Sequence, residues 1–399
     1  MEEEPKFSVF DEVKLKAELQ RCGVKPLHAV TIHSYLLANQ DAEPHEVPDL
    51  PKAAYPLLES HFKSTTSKLK SEHFSSDGTT VKLLIELQNG QAVESVIMRH
   101  DASAGKYAGG PRQGGPRATL CVSSQVGCNM GCTFCATGTM GLKGNLSAGD
   151  IVEQLVHANR ITPIRNIVFM GMGEPLNNYQ AVLQAIKTMT GPSFSMSPSH
   201  ITVSTVGVVP RIVSLANDLP GVNLALSLHA PTQDLRVQIV PAARAYNLLK
   251  LMAAIDSYSA ASKRKVFIEY IMIGGVNDSD EAAHQLGSLL SGRQVVLNLI
   301  PYNPTETKAD FKASREDTVH NFQKTIREVY NIRATVRREM GQDIAGACGQ
   351  LAVGDLKRTS LSARKNIFGF QWVAFRQTGV VPVGISHKVC LRKWASRST

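Results

Sequence analysis

The sequence contains no apolar run of about 18 residues, so nothing in it reads as a membrane span. Cysteine is scarce and unevenly placed, seven in 399 residues, which excludes the disulfide framework of a small secreted protein. The opening stretch, MEEEPKFSVFDEVK, lacks the apolar segment of a secretory signal and the Arg- and Ser-rich composition of a transit peptide. A cytoplasmic location is therefore expected. Acidic residues are missing altogether from Lys357 to Thr399, where nine Lys and Arg stand, so residues 1–356 hold 34 charges of each sign. The whole +9 excess sits in that tail, and a bulk-charge attraction to nucleic acid rests on the tail alone. What remains is ordinary globular composition, 43% hydrophobic and 19% charged, long enough for one large α/β domain and a smaller unit.

Residues 1–62 carry helical patterning, with Val13, Leu15 and Leu19 on one face before Gly23 and a second amphipathic stretch in HAVTIHSYLLANQ. Two strand-like runs follow, Val81–Leu87 and Ala92–Met98, around a QNG turn. We assign residues 1–100 to an N-terminal accessory domain and the Gly-rich stretch 101–116 to a loop or linker. Beyond it the pattern alternates. Strand-like runs begin near Ala118, Asn166, His200, Val222, Val266 and Val295. Helical patterns occupy Ser147–Ile161, Tyr179–Met189, Val209–Asn217, Leu248–Ala261, Ser279–Leu290 and Ser314–Tyr330. Such alternation implies βαβ units and a parallel sheet, either open or a partial barrel, over residues 117–351. Residues 352–399 form a basic, aromatic-containing extension.

Four cysteines fall within fifteen residues, in CVSSQVGCNMGCTFC. Cys128, Cys132 and Cys135 follow the first strand of the alternating region as C-x3-C-x2-C, and Gly127, Gly131 and Gly138 let such a loop fold tightly. Three thiolates from one loop can hold an iron–sulfur cluster or a zinc ion, or remain free. Structural zinc usually needs a second cysteine pair, and no other C-x2-C exists in the chain. Three ligands to a [4Fe–4S] cluster would leave one iron open. One βα unit later, GMGEP at 171–175 follows the apolar strand NIVFM. By itself it reads equally as a βα turn with a capping glutamate or as a carboxylate placed for an ammonium group.

The C-x3-C-x2-C loop with Phe134 before its last cysteine resembles the signature of the radical S-adenosylmethionine (SAM) superfamily. That resemblance implies a full or partial (β/α)6 barrel and a [4Fe–4S] cluster on Cys128, Cys132 and Cys135. The open iron would chelate SAM, whose cleavage yields a deoxyadenosyl radical. TLCVSSQVGC, STVGVVPR, LSLHAP, IPYNP and REMGQDIAGACGQL together resemble one branch, the RlmN/Cfr adenine methyltransferases, from about Val9 to Leu351. The branch implies a thiol relay using two SAM per turnover. Cys348 accepts the first methyl, the second SAM supplies the radical, and a protein–RNA thioether forms. Cys121 then resolves the adduct and ends in a disulfide with Cys348. Glu94 matches the proton acceptor. Gly173, Glu174, Ser204, Ser227, Leu228, His229 and Asn303 match the SAM contacts, although Ser204 could instead cap the following helix and His229 could be a packed core residue.

The expected enzyme thus methylates carbon 2 of adenosine in ribosomal RNA, transfer RNA or both. The expected partners are that RNA and an electron donor such as flavodoxin or ferredoxin, with the enzyme working as a monomer. The N-terminal unit would supply RNA contacts. A carbon-8 methyltransferase and an RNA-binding or ribosome-assembly factor without turnover are the alternatives. Methylthiolation would need three further clustered cysteines that the chain lacks. In the tail, Phe368, Phe370, Trp372, Phe375 and Trp394 interleave with Lys and Arg, which suits RNA or, equally, a passive extension. If the tail binds phosphates, deleting residues 357–399 should weaken RNA binding and flatten its salt dependence by roughly 0.7–0.9 per lost contact. Filter binding across a salt series measures both, and unchanged affinity and slope would mark the tail as passive.

Overall fold

The computed structural model describes residues 5–100, 106–107, 110–111, 116–305, 307 and 309–353. The basic tail from 354 onward and most of the Gly-rich stretch 101–116 lie outside the described residues. Ten strands form the main sheet: β1 (Lys68–Phe74), β2 (Thr80–Glu86), β3 (Ala92–His100), β4 (Arg117–Cys121), β5 (Ile164–Phe169), β6 (Ile201–Thr205), β7 (Asn223–Ser227), β8 (Val266–Met272), β9 (Val295–Pro301) and β10 (Ala334–Val336). Their spatial order is their chain order. β1 to β4 pair antiparallel and β4 to β10 parallel.

The helices are α1 (Glu12–Arg21), α2 (His28–Ala38), α3 (Ala54–His61), the one-turn α4 (Ala136–Thr139), α5 (Ala148–Ile161), α6 (Tyr179–Thr190), α7 (Val209–Asp218), α8 (Gln233–Ile239), α9 (Leu248–Ser262), α10 (Asp280–Leu290) and α11 (Glu316–Glu328). The six parallel strands and six helices expected from periodicity are all present, the helix ends within two residues of expectation. Strands such as VFIEYIM and VVLNLIP are almost wholly apolar because both of their faces are covered, as in parallel sheets generally. Ser147 and Ser279 are caps rather than helical residues: each accepts a hydrogen bond from a first-turn amide, and Asp150 returns a bond to the Ser147 amide.

The sequence reading missed the short helices α4 and α8 and several strands. β1 is an exposed edge strand, KLKSEHF, with little apolar alternation to reveal it. β10 is a seventh parallel strand only three residues long. A small hairpin, Gln125–Cys128 with Gly141–Asn145, frames the cysteine loop. The boundary expected at residue 100 is crossed by hydrogen bonding, since β3 pairs directly with β4 from Val96–Cys121 to His100–Arg117. The N-terminal hairpin is thus part of the main sheet, and α1 to α3 share its core through Leu15, Leu19, Ile32 and Leu58.

The sheet curves into a partial barrel whose mouth is crossed by the chain leaving β10. Arg337 there reaches the Met170 sulfur beyond β5 at 3.9 Å, Asp343 accepts from the Ser76 amide at 2.8 Å, and Gly341 packs against Thr80 of β2. We call residues 337–351 the strap. Below it, the N-terminal segment is fastened to α5 by Glu153, which is fully buried. Its carboxylate accepts from the Thr66 and Ser67 amides, both at 2.8 Å, and from both hydroxyls, while His157 bonds the Ser67 hydroxyl at 2.9 Å. Glu153→Ala would strand those buried donors, so urea denaturation should show a loss of about 3 kcal/mol in unfolding free energy. Glu153→Gln, which keeps an acceptor, should lose less. An unchanged midpoint for Glu153→Ala would show that the fastening contributes nothing.

Candidate active site around the cysteine loop

The cysteine loop grows from the end of β4. Cys128 closes the first strand of the small hairpin, Cys132 lies in the turn and Cys135 immediately precedes α4. Gly127 is obligatory here: its φ is +75° and a Cβ would fall 1.9 Å from the Gly141 carbonyl oxygen. The loop rests on the end of α8, with the Thr133 amide donating to the Ile239 carbonyl at 3.0 Å. All three thiols line one cavity. Burial pushes the Cys128 thiol up to about 11 and the Cys132 thiol well above its usual value, with neighbouring cysteines and Glu174 adding to both. Three thiolates here need positive charge to exist. Three thiols on one cavity wall suit a [4Fe–4S] cluster, which takes one thiolate per iron and can leave the fourth iron open, better than structural zinc, which gathers four protein donors.

Glu174 stands beside this loop because Gly173 permits it. At φ +96°, Gly173 brings the turn so close to the small hairpin that a Cβ would lie 2.5 Å from the Gln125 Cβ. The Glu174 carboxylate accepts from the Leu176 amide at 3.0 Å and the Val206 amide at 2.9 Å. It is thus the cap that one reading expected, and it also lines the cavity with the cysteines. Burial outweighs those hydrogen bonds and raises its pKa to about 7.

Further round the cavity the Ser204 and Ser227 hydroxyls lie 3.3 Å apart. Ser204 does not cap α7: the N-cap position is Val208, with no side-chain cap, and Thr205 accepts from the Gly207 amide at 3.0 Å in the turn before the helix. His229 lines the cavity at φ +62° and meets the Phe134 ring edge-on at 4.9 Å. Its Nδ1 accepts from the Ile271 amide at 3.1 Å, and burial lowers its pKa to about 3, so the ring is neutral with its proton on Nε2. Leu228, between them, is fully buried in the core and is absent from the cavity wall.

A second, larger cavity of about 660 Å³ opens between β3, β4, β5 and the strap. Cys121 and Asn303 line it, and Cys348 lines both cavities. The Cys348 backbone is held from two sides. The Ala136 amide of the cysteine loop donates to the Gly349 carbonyl at 2.8 Å, and Asn303 Nδ2 donates to the Cys348 carbonyl at 3.2 Å. Cys121 and Cys348 are free thiols. Burial pushes them up to about 12 and about 11, even though Cys348 is open to the cavity. Glu94 is buried where the chain leaves the strap: its carboxylate meets Lys82 at 3.2 Å and accepts from the Ala352 amide at 2.9 Å, outside the wall of the larger cavity. Desolvation raises its pKa, opposed by Lys82.

Three residues were not singled out from the sequence. Arg236 is buried with its guanidinium on the Leu228, Val206 and Ser227 carbonyls, fastening the ends of β6 and β7. Glu269 and Arg337 form an ion pair at 2.9 Å between the two cavities. A charge inside the apolar run VFIEYIM was the available signal for Glu269. No helix among the described residues is long and apolar enough to cross a membrane.

Residues 122–286 match the radical SAM superfamily. The chain is 40% identical over 343 residues to the dual-specificity RNA methyltransferase RlmN 1 of Myxococcus xanthus, covering 84% of this chain and 91% of that protein. It is likewise 40% identical over 318 residues to the ribosomal RNA large subunit methyltransferase N of Nitrosopumilus maritimus, covering 77% and 88%. A crystal structure of a radical SAM methyltransferase from Sphaerobacter thermophilus superposes with a TM-score of 0.78 at 38% identity, covering 87% of this chain and all of that one.

The close approach at Gly173 yields a test. Gly173→Ala adds both a clash and a strained φ, so it should lower stability by about 2–4 kcal/mol and displace Glu174. Gly292→Ala, at φ +75° with nothing within 4 Å, should lose only about 1 kcal/mol. Thermal melts of the two variants make the comparison, and equal losses would contradict the close-packed turn.

Proposed function

We propose, since the chain belongs to the RlmN family of radical SAM RNA methyltransferases, that it methylates carbon 2 of adenosine in ribosomal RNA, transfer RNA or both. The enzyme class follows from the family, as does the use of SAM and a [4Fe–4S] cluster. Carbon 2 is preferred over carbon 8 on the resemblance to the family's housekeeping branch. Two SAM per turnover, a small electron carrier such as flavodoxin or ferredoxin, action as a monomer and a cytoplasmic setting complete the reading.

The observation that carries the mechanism is the position of Cys348 on the wall common to both cavities, with Cys121 across the larger one. Cys128, Cys132 and Cys135 would hold the cluster, and Glu174, Ser204, Ser227 and His229 would surround SAM. Together these groups supply, when bound, a methyl group and one-electron activation of a C–H bond. Adenine carbon is a poor nucleophile, so the methyl needs a sulfur to carry it. Cys348 faces both the place where a methyl is given and the place where a base would lie. Walls of Val96, Met98, Val168 and Met170 suit an unstacked purine, and Arg99 and Arg338, which also line this cavity, suit its flanking phosphates. Cys121 would take the Cys348 sulfur into a disulfide and free the methylated base. Glu94, with its raised pKa, would accept the proton that the base must lose, once the Ala352 amide moves off it.

The two cysteines are separable by experiment. Anaerobically reconstituted Cys348→Ala should carry no S-methyl group and form no RNA adduct. Cys121→Ala should still be methylated at Cys348 and should accumulate a covalent protein–RNA crosslink, seen as a nuclease-sensitive upshift on denaturing gels. Nucleoside mass spectrometry should find 2-methyladenosine only with the unaltered protein. If both variants behave alike, or if Cys121→Ala turns over normally, the relay reading fails.

A further inference from the structure

A buried carboxylate that lines the smaller cavity has one oxygen without a partner. Glu269 sits in the middle of β8, 1% exposed, the register partner of Ser227 on β7 and of Asn298 on β9. Its Oε1 accepts from Asn298 Nδ2 and from the Arg337 guanidinium, both at 2.9 Å, while its Oε2 accepts nothing. Arg337 could have covered both oxygens with its planar fork, but it turns its other terminal nitrogen to the Met170 sulfur. Asn298 is committed too, accepting the Thr335 hydroxyl at 2.7 Å. The bare oxygen is thus left by neighbours that are already engaged, and Glu269 lines the same cavity as Ser204, Ser227 and Glu174.

An ionised carboxylate only accepts hydrogen bonds, so the missing partner is a donor. Arg337 already balances the charge of Glu269, which favours a neutral donor over a cationic one. SAM brings one cationic donor, its ammonium, suited to Glu174 beside the cysteines. Its neutral donors are two ribose hydroxyls and the adenine amino group. Glu269 lies one strand, about 4.8 Å, beyond the Ser204–Ser227 hydroxyl pair. We propose that Glu269 Oε2 accepts a hydrogen bond from a ribose hydroxyl of SAM, so that Ser204, Ser227 and Glu269 form one sugar-recognising wall across β6, β7 and β8. This inference rests on the SAM site proposed above.

Equilibrium dialysis of the anaerobically cluster-loaded protein against SAM, 2′-deoxy-SAM and 3′-deoxy-SAM tests it without RNA or turnover. The unaltered protein should bind one deoxy analogue about 10- to 100-fold more weakly than SAM, as expected for a hydrogen bond to a charged acceptor. Glu269→Ala should weaken SAM by a similar factor and bind SAM and that analogue equally. Arg337→Met, which removes the ion pair but not the acceptor, should keep the discrimination. Iron content and thermal melts establish that each variant is folded and loaded. Should the unaltered protein be indifferent to both hydroxyls, the inference is overturned even if Glu269→Ala does not fold. It is equally overturned if Glu269→Ala keeps the discrimination, or if Glu269→Ala and Arg337→Met weaken SAM and its analogues alike, which would make Glu269 merely the anchor of Arg337. Failure of the unaltered protein to bind SAM at all would instead remove the cofactor site itself.

Discussion

The hydrogen bond from the Ala136 amide to the Gly349 carbonyl joins two segments more than two hundred residues apart, and the site depends on it. On one side is the loop with Cys128, Cys132 and Cys135; on the other is the strap with Cys348. The Thr137 hydroxyl reinforces the contact through the Leu351 carbonyl, and Gln350 reaches the Pro304 carbonyl at 2.9 Å. Because these are backbone and near-backbone contacts, they set where the Cys348 sulfur lies without using its side chain. That sulfur is left as the shared boundary of two cavities, the position a carrier between two reactants requires.

Desolvation shapes the chemistry of every acidic group nearby. Glu174, Glu94 and Glu269 all have raised pKa values with burial as the largest cause, yet their partners differ. Glu174 is held by backbone amides, Glu94 by Lys82 and the Ala352 amide, and Glu269 by Asn298 and Arg337. Such environments make a carboxylate ready to receive a donor or a proton, since each has given up water and only partly replaced it. The same physics raises the pKa of the buried Cys121 thiol.

The antiparallel hairpin on the edge of the parallel sheet has a functional consequence. β3 supplies Glu94 where the chain leaves the strap and Val96, Met98, Arg99 and His100 to the larger cavity, while β2 supplies Lys82. The segment read from sequence as an accessory unit therefore builds part of the wall of the larger cavity. Its helices α1 to α3 pack into the shared core and supply no residue to the wall of the larger cavity.

Local spacing was enough to identify the cysteine loop, the GMGEP turn and the six βα units, because the three cysteines lie within eight residues and helix and strand periods are local properties of the chain. The family resemblance marked Cys121, Cys348 and Glu94, but no local pattern could say that Cys348 bounds two cavities or that Glu94 is covered. Those facts depend on contacts spanning 45 to 258 residues, such as Asn303 to Cys348 and Glu94 to Ala352. β1 and β10 were invisible because one is polar and exposed and the other is three residues long, so tertiary pairing alone makes them strands. Arg236, Glu269 and Arg337 belong to the same class. Each is a charge whose meaning comes from being buried against particular carbonyls, amides or its opposite charge, and only the folded sheet brings those partners within reach.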